Sequence, residues 1–156
     1  MSVEVGATAP DFRLTSADRE AVALSDFRGD RAVLLVFYPF AFSRLCTAEL
    51  CTLRDDLDVF QNERVQVLAI SADPVPALKA YADAQGYEFP LLSDFWPHGE
   101  VARAYDTFNE PSGMANRGTF LIGGDGVVTF AERNGPGEPR DQAGWKRAIA
   151  ALPASG

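Results

Sequence analysis

Histidine and cysteine are scarce in this chain: one histidine, His98, and two cysteines, Cys46 and Cys51, among 156 residues. A structural zinc site takes four such ligands, and no second cluster stands beside the cysteine pair, so no metal centre is expected. His98 sits alone on a Pro-Gly loop and reads as structural or exposed. Basic residues are also few: 14 Lys and Arg face 22 Asp and Glu, a formal charge of −8. That balance argues against a nucleic-acid or anionic-membrane partner. No apolar run approaches a membrane span. The start, Met1 to Gly6, has neither the basic residues nor the apolar core of a leader, so the cytoplasm is the expected compartment. Gly123, Gly124 and Gly126 are followed by no Gly-Lys-Ser/Thr, which leaves them as turn chemistry rather than a phosphate loop. There is no repeat, linker or low-complexity stretch, and one domain over 1–156 is expected. A chain of this size can bury roughly 70% of its unfolded surface and needs no disulfide staples. Two cysteines in a reducing compartment then read as reactive rather than structural.

Both cysteines lie in one stretch, Phe37 to Cys51, between an apolar run over 32–38 and a helical pattern over 47–62. Leu50, Leu53, Leu57 and Phe60 recur at helical spacing, and Cys46 falls on the same inward stripe one turn before Leu50. The first turn of a helix carries unpaired N–H groups and the positive end of the dipole. A thiol there loses its proton more easily than a free one. On the residues alone, Cys46 is either a small buried hydrophobe or a nucleophile.

The remaining elements follow in order. Val33 to Phe37 and Val65 to Ser71 read as central strands buried on both faces. A helix is expected over 77–85, ended by Gly86, then a short extended piece at 89–94, an aromatic loop at Phe95-Trp96-Pro97 and a short helix over 99–105. Thr119 to Ile122 and Val127 to Phe130 flank a glycine turn and read as a hairpin, and Gln142 to Leu152 as a closing helix. The order is strand–helix–strand–helix, hairpin, helix. The expected fold is α/β and thioredoxin-like, with a central mixed sheet flanked by helices.

Pro39-x3-Ser43-x2-Cys46 resembles the peroxiredoxin signature Pro-x3-Thr/Ser-x2-Cys. The resemblance extends to Pro10-Asp11-Phe12, to Phe89 through Gly99, to Asn116 through Phe120 and to Pro136 through Asp141, and it is greatest to the alkyl hydroperoxidase E branch. It implies a peroxiredoxin N-terminal extension and an insert at 89–115. It implies Pro39, Ser43, Cys46 and Arg117 as the catalytic set, with Glu49 in support. Two positions depart from that branch. Ser43 stands where Thr is usual, which keeps the hydroxyl and loses the methyl. Cys51 has no counterpart in the one-cysteine branch. Cys46-x4-Cys51 instead resembles the Q-type (bacterioferritin comigratory protein) enzymes, which implies that Cys51 resolves Cys46 as an intramolecular disulfide.

The implied activity is reduction of hydrogen peroxide, organic hydroperoxides or peroxynitrite, with no cofactor, recycled by a thioredoxin-like or mycoredoxin-like partner. A homodimer is expected, with Phe42, Phe95 and Trp96 near its interface. A free thiol is only about 3% ionised at pH 7, so full ionisation would gain roughly 30-fold, or about 2 kcal/mol. Enzymes supply at least about 8 kcal/mol. The larger part must come from stabilising charge on the peroxide oxygens, for which Arg117, the Ser43 hydroxyl and the Cys46 N–H are the candidate donors. The proposed role of Pro39 is to shield the sulfur from water. Read without the family, Arg117 is a solvated charge, Ser43 a helix cap and Glu49 an ordinary first-turn acid. Other activities on the same residues are a one-cysteine peroxidase resolved by an external thiol and a redox sensor or holdase. A thiol–disulfide oxidoreductase would want Cys-x2-Cys and a proline before Thr119, and the chain has neither.

Overall fold

Continuous apolar sequence builds the middle of the sheet. In the computed structural model, which describes residues 3–153, β3 (Ala32–Phe37) and β4 (Val65–Ser71) are buried along their whole length. Met1 and Ser2, where the segment read as lacking a leader begins, lie outside the described residues. Side chains alternate across a strand, so β3 feeds two cores at once. Leu34, Val36 and Tyr38 pack on one face with Leu50, Leu53, Leu78, Trp145 and Ile149. Val33, Leu35 and Phe37 pack on the other with Leu68, Val101, Tyr105 and Phe120.

The other strands are β1 (Arg13–Ser16), β2 (Ala21–Ala23), β5 (Leu91–Ser93), β8 (Arg117–Ile122) and β9 (Val128–Asn134), and the sheet order is β2-β1-β5-β4-β3-β8-β9. β3 runs parallel to β4, and β4 to β5; β8 is antiparallel to β3 and to β9. The mixed sheet expected from the sequence is therefore present. α1 (Arg44–Asp55), α3 (Val75–Gln85) and α5 (Gln142–Ala150) pack on the first core, and α4 (Glu100–Ala104) on the second. Gly86 ends α3 in the left-handed conformation that glycine adopts without strain.

The single helix expected over 47–62 is two. α1 starts three residues early and stops at Asp55, and a one-turn α2 (Leu57–Phe60) follows. Asp56, at φ −120° and ψ 27°, separates them and pairs with Lys146 of α5. The short strand β1 and the two-residue hairpin β6 (Phe108–Asn109) and β7 (Met114–Ala115) were not expected. His98 Nε2 meets the Gly113 carbonyl at 2.6 Å and holds the insert together from an exposed position. Phe95 and Trp96 are exposed, Trp96 at 81%, so neither is a core residue. Among the described residues no helix is long and apolar enough to cross a membrane.

Candidate active site

The connection from β3 to α1 is what presents Cys46. Pro39 is buried within it, and Phe42 adopts φ +66°, a left-handed conformation uncommon for a residue with a side chain. Two contacts hold that shape. The Ala41 N–H donates to Asp73 Oδ2 at 2.8 Å, and the Phe42 ring lies 4.8 Å from that of Tyr81. Asp73 Oδ2 also accepts from the Ser71 hydroxyl and so anchors the loop to the end of β4.

Ser43 occupies the N-cap of α1, yet its side chain makes no cap bond. Its hydroxyl is buried with no hydrogen-bond partner among the described residues. Cys46 follows at the third helical position, where backbone N–H groups have no partner within the helix. Its side chain is 0% exposed and lies on the inward stripe with Leu50 and Leu53.

Arg117 opens β8, two residues before Thr119, the partner of Val36. It therefore emerges at the edge where β3 ends, on the same strand face as Leu121 and the α1 core. It is 2% exposed, which rules out the reading as a solvated charge. Its three nitrogens are all engaged. Nη2 donates to Cys46 Sγ at 3.1 Å, Nη1 to Glu49 Oε1 at 2.7 Å and Nε to the Pro136 carbonyl at 2.7 Å. The guanidinium is thus fixed against the sulfur rather than free to swing away.

Glu49 is not an ordinary first-turn acid. It is buried, and it joins two arginines. Arg140 donates to Glu49 Oε1 from Nε at 3.1 Å and from Nη2 at 2.8 Å, and its backbone N–H donates to Oε2 at 2.7 Å. Its Nη1 reaches the carbonyls of Phe37 and Gly118 and the Thr119 hydroxyl. Burial pushes the Arg140 guanidinium below its ordinary range, and Glu49 opposes that shift. Two buried cations and one buried anion leave one positive charge over. Cys46 Sγ, 3.1 Å from the Arg117 guanidinium, is where a negative charge would balance it, and a buried cluster left uncompensated is costly.

Cys51 lies apart from this cluster. It is half-buried, 3.6 Å from Gln85 Oε1 and 3.7 Å from the Tyr87 hydroxyl, and both thiols are free. Burial raises the Tyr81 and Tyr87 hydroxyls above the ordinary tyrosine value, so both stay neutral.

Residues 5–131 match the model of the AhpC/TSA family. The chain belongs to the AhpC/TSA family. It is 52% identical over 152 residues to alkyl hydroperoxide reductase E of Mycobacterium tuberculosis, covering 97% of this chain and 99% of that one. It is 37% identical over 132 residues to peroxiredoxin Bcp of Escherichia coli, covering 81% and 83%. The crystal structure of peroxidoxin BcpB from M. tuberculosis superposes with a TM-score of 0.84 at 28% identity, covering 97% and 99%. The thioredoxin-like peroxiredoxin fold expected from the sequence is thereby borne out, as is the mixed likeness to the alkyl hydroperoxidase E and Bcp types.

Within this AhpC/TSA chain, three of the six residues singled out by sequence, Cys46, Glu49 and Arg117, meet by direct bonds, and Ser43 occupies the N-cap of the helix that carries the first two. Pro39 lies in the same connection and Cys51 on the next stripe of α1. Arg140 was assigned no role, and it lies beyond the family-matched residues. One signal pointed to it: Glu49 comes three residues after inward-facing Cys46, and a buried carboxylate there demands cationic partners.

Proposed function

We propose that this chain is a thiol-dependent peroxidase in which Cys46 is the nucleophile. The observation that carries the reading is the guanidinium of Arg117 held 3.1 Å from Cys46 Sγ, on a helix whose N-cap, Ser43, has a buried hydroxyl with no partner among the described residues. The sulfur attacks one peroxide oxygen. A sulfur–oxygen bond forms, the oxygen–oxygen bond breaks, and the electron pair leaves on the other oxygen, which takes a proton and departs as an alcohol or water. Arg117, Ser43 and the Cys46 N–H face the oxygens on which that charge develops, where preorganised donors are most effective. Glu49 and Arg140 keep Arg117 in place. Pro39 excludes water from the sulfur. No step calls for a metal or organic cofactor.

Cys51 then resolves the sulfenic acid of Cys46 within the chain, and a thioredoxin-like or mycoredoxin-like dithiol reduces the disulfide. The name of the alkyl hydroperoxide reductase E relative supports alkyl hydroperoxides as substrates, with hydrogen peroxide and peroxynitrite further candidates of the same chemistry. We read residues 1–156 as one cytoplasmic domain that pairs into a homodimer through the edge carrying Phe42, Phe95 and Trp96.

The test is one equivalent of peroxide on reduced protein, with mass spectrometry of both cysteines and steady-state turnover with a dithiol reductant. The expected result is a Cys46–Cys51 disulfide and sustained turnover, both lost in Cys46→Ser. Residual turnover above roughly a few per cent of the native rate in that variant overturns the nucleophile, because the uncatalysed reaction lies a factor of about 10⁶ or more below it. A persistent sulfenic acid with free Cys51 points to the one-cysteine cycle with an external thiol. Stoichiometric oxidation without turnover points to the sensor.

A further inference from the structure

The two sulfurs of α1 face different neighbours. Cys46 turns to Arg117 on β8 and Cys51 to the end of α3. With α1 regular across both, five residues of helix put their Cα atoms about 8.6 Å apart. A disulfide tolerates at most about 7 Å, so the first turn of α1 must unwind before the two can join. What holds that turn is therefore part of the resolving step.

Thr47, Cys51 and Arg54 recur at i, i+4 and i+7, so they share one stripe of α1. Each touches α3 or the residues just after it. Arg54 Nη1 donates to the Gln85 carbonyl at 2.6 Å, and Cys51 meets Gln85 and Tyr87. These contacts hold the half of the helix that carries Cys51. Thr47, the neighbour of Cys46, pairs its hydroxyl with that of Tyr81 at 2.9 Å. Among the described residues this is the one side-chain hydrogen bond from the first turn to α3. The Tyr81 ring is fully buried, with Phe42, Tyr87 and Tyr38 rings at 4.8, 5.2 and 6.3 Å. Its hydroxyl is aimed by that packing and cannot follow Thr47 when the turn opens.

We propose that the Thr47–Tyr81 hydroxyl pair is a latch on resolution, which makes Tyr81 a positioning residue for the second chemical step. The pair keeps the first turn wound while Cys46 attacks peroxide, and it must part before Cys51 is reached. In the step it controls, the Cys51 sulfur attacks the sulfenic sulfur of Cys46. The sulfur–sulfur bond forms, the sulfur–oxygen bond breaks, and the departing hydroxide takes the Cys51 proton to leave as water. This rests on reading Cys51 as the resolving thiol.

Tyr81→Phe keeps the ring and removes the bond. One net hydrogen bond corresponds to about fivefold in an opening equilibrium. In reduced Tyr81→Phe, exchange of the amides that close the first turn of α1, beginning with the Thr47 N–H bonded to the Ser43 carbonyl, should speed up about fivefold. In stopped flow, the peroxide-independent phase of disulfide formation should speed up by the same factor, with the peroxide-dependent phase unchanged. Thr47→Val should act alike, the double variant should add nothing, and Thr47→Ser should behave as the native protein. Unchanged exchange in both single variants overturns the latch. A native protein that forms the disulfide at the rate of Tyr81→Phe also overturns it and leaves Cys51 as the resolving thiol. A native protein that forms no disulfide overturns the Cys51 reading instead, and amide exchange alone then decides whether the pair holds the turn.

Discussion

Replacing Ser43 by Ala should make the protein more stable and less active. At an ordinary N-cap, Ser→Ala loses a hydrogen bond to the first turn and costs about 1 kcal/mol. Here the side chain makes no such bond, and its hydroxyl is buried without a partner among the described residues. A buried unsatisfied polar group costs about 1–3 kcal/mol. Removing it should therefore stabilise the reduced protein by about 1 kcal/mol, a rise of roughly 2–4 °C in Tm for a chain of this size. The same hydroxyl is a candidate donor to the peroxide. A hydrogen bond to a charged oxygen contributes about 1.5–3 kcal/mol, so the second-order rate with peroxide should fall about 10- to 100-fold. Thermal unfolding by circular dichroism and stopped-flow oxidation read the two effects separately. Ser43→Thr keeps the hydroxyl and should retain the rate. A drop of 2–4 °C in Ser43→Ala (roughly the cap value) would show the hydroxyl acting as a helix cap, and a native rate would remove it from the chemistry.

Arg117→Met should lower the peroxide rate by a factor on the order of 10² or more, from the loss of a fixed charged donor; a near-native second-order rate would reduce Arg117 to a structural ion-pair partner. Glu49→Gln leaves two buried guanidiniums without their shared carboxylate. Breaking such a group costs about 3 kcal/mol, or roughly 6–12 °C in Tm, and an unchanged melting curve would refute the charge accounting. Sedimentation should show a dimer at micromolar concentration that Phe42→Asp weakens; a native protein that sediments only as monomer counts against the proposed interface.

The elements most legible in the sequence were those set by long-range burial alone. Ala32–Phe37 is apolar throughout and Val65–Ser71 is interrupted only by Gln66 and the terminal Ser71, a run whose length suits a strand covered on both faces. β1 escaped because Arg13-Leu14-Thr15-Ser16 is short and half-exposed, with a polar turn after it. The break at Asp56 was invisible because Leu57 and Phe60 continue the stripe of Leu50 and Leu53 in nearly the same phase, and both pack on the same core. At the site, Cys46 and Arg117 stand out through motif and chemistry. Arg140 lies in the Pro136–Asp141 stretch that carries the resemblance, but no chemistry around it marks its role. Its importance comes from Glu49, 91 residues earlier, and from Phe37, 103 residues earlier. The free Ser43 hydroxyl was equally hidden, since sequence alone reads serine before a helix as a cap.

The reach of Arg140 has a consequence for the order in which a newly made chain acquires its chemistry. One guanidinium joins the exit of β3, the first residues of β8 and the carboxylate on α1, all made earlier in synthesis. Contacts over such separations form late, because long loops must close first. A nascent chain that has emerged only through β9 has its thiol and Arg117 but lacks the residue that ties Glu49 to both strands. During translation, such a chain carries a cysteine not yet set in its finished surroundings. Full reactivity then waits until enough chain has left the ribosome for Arg140 to dock.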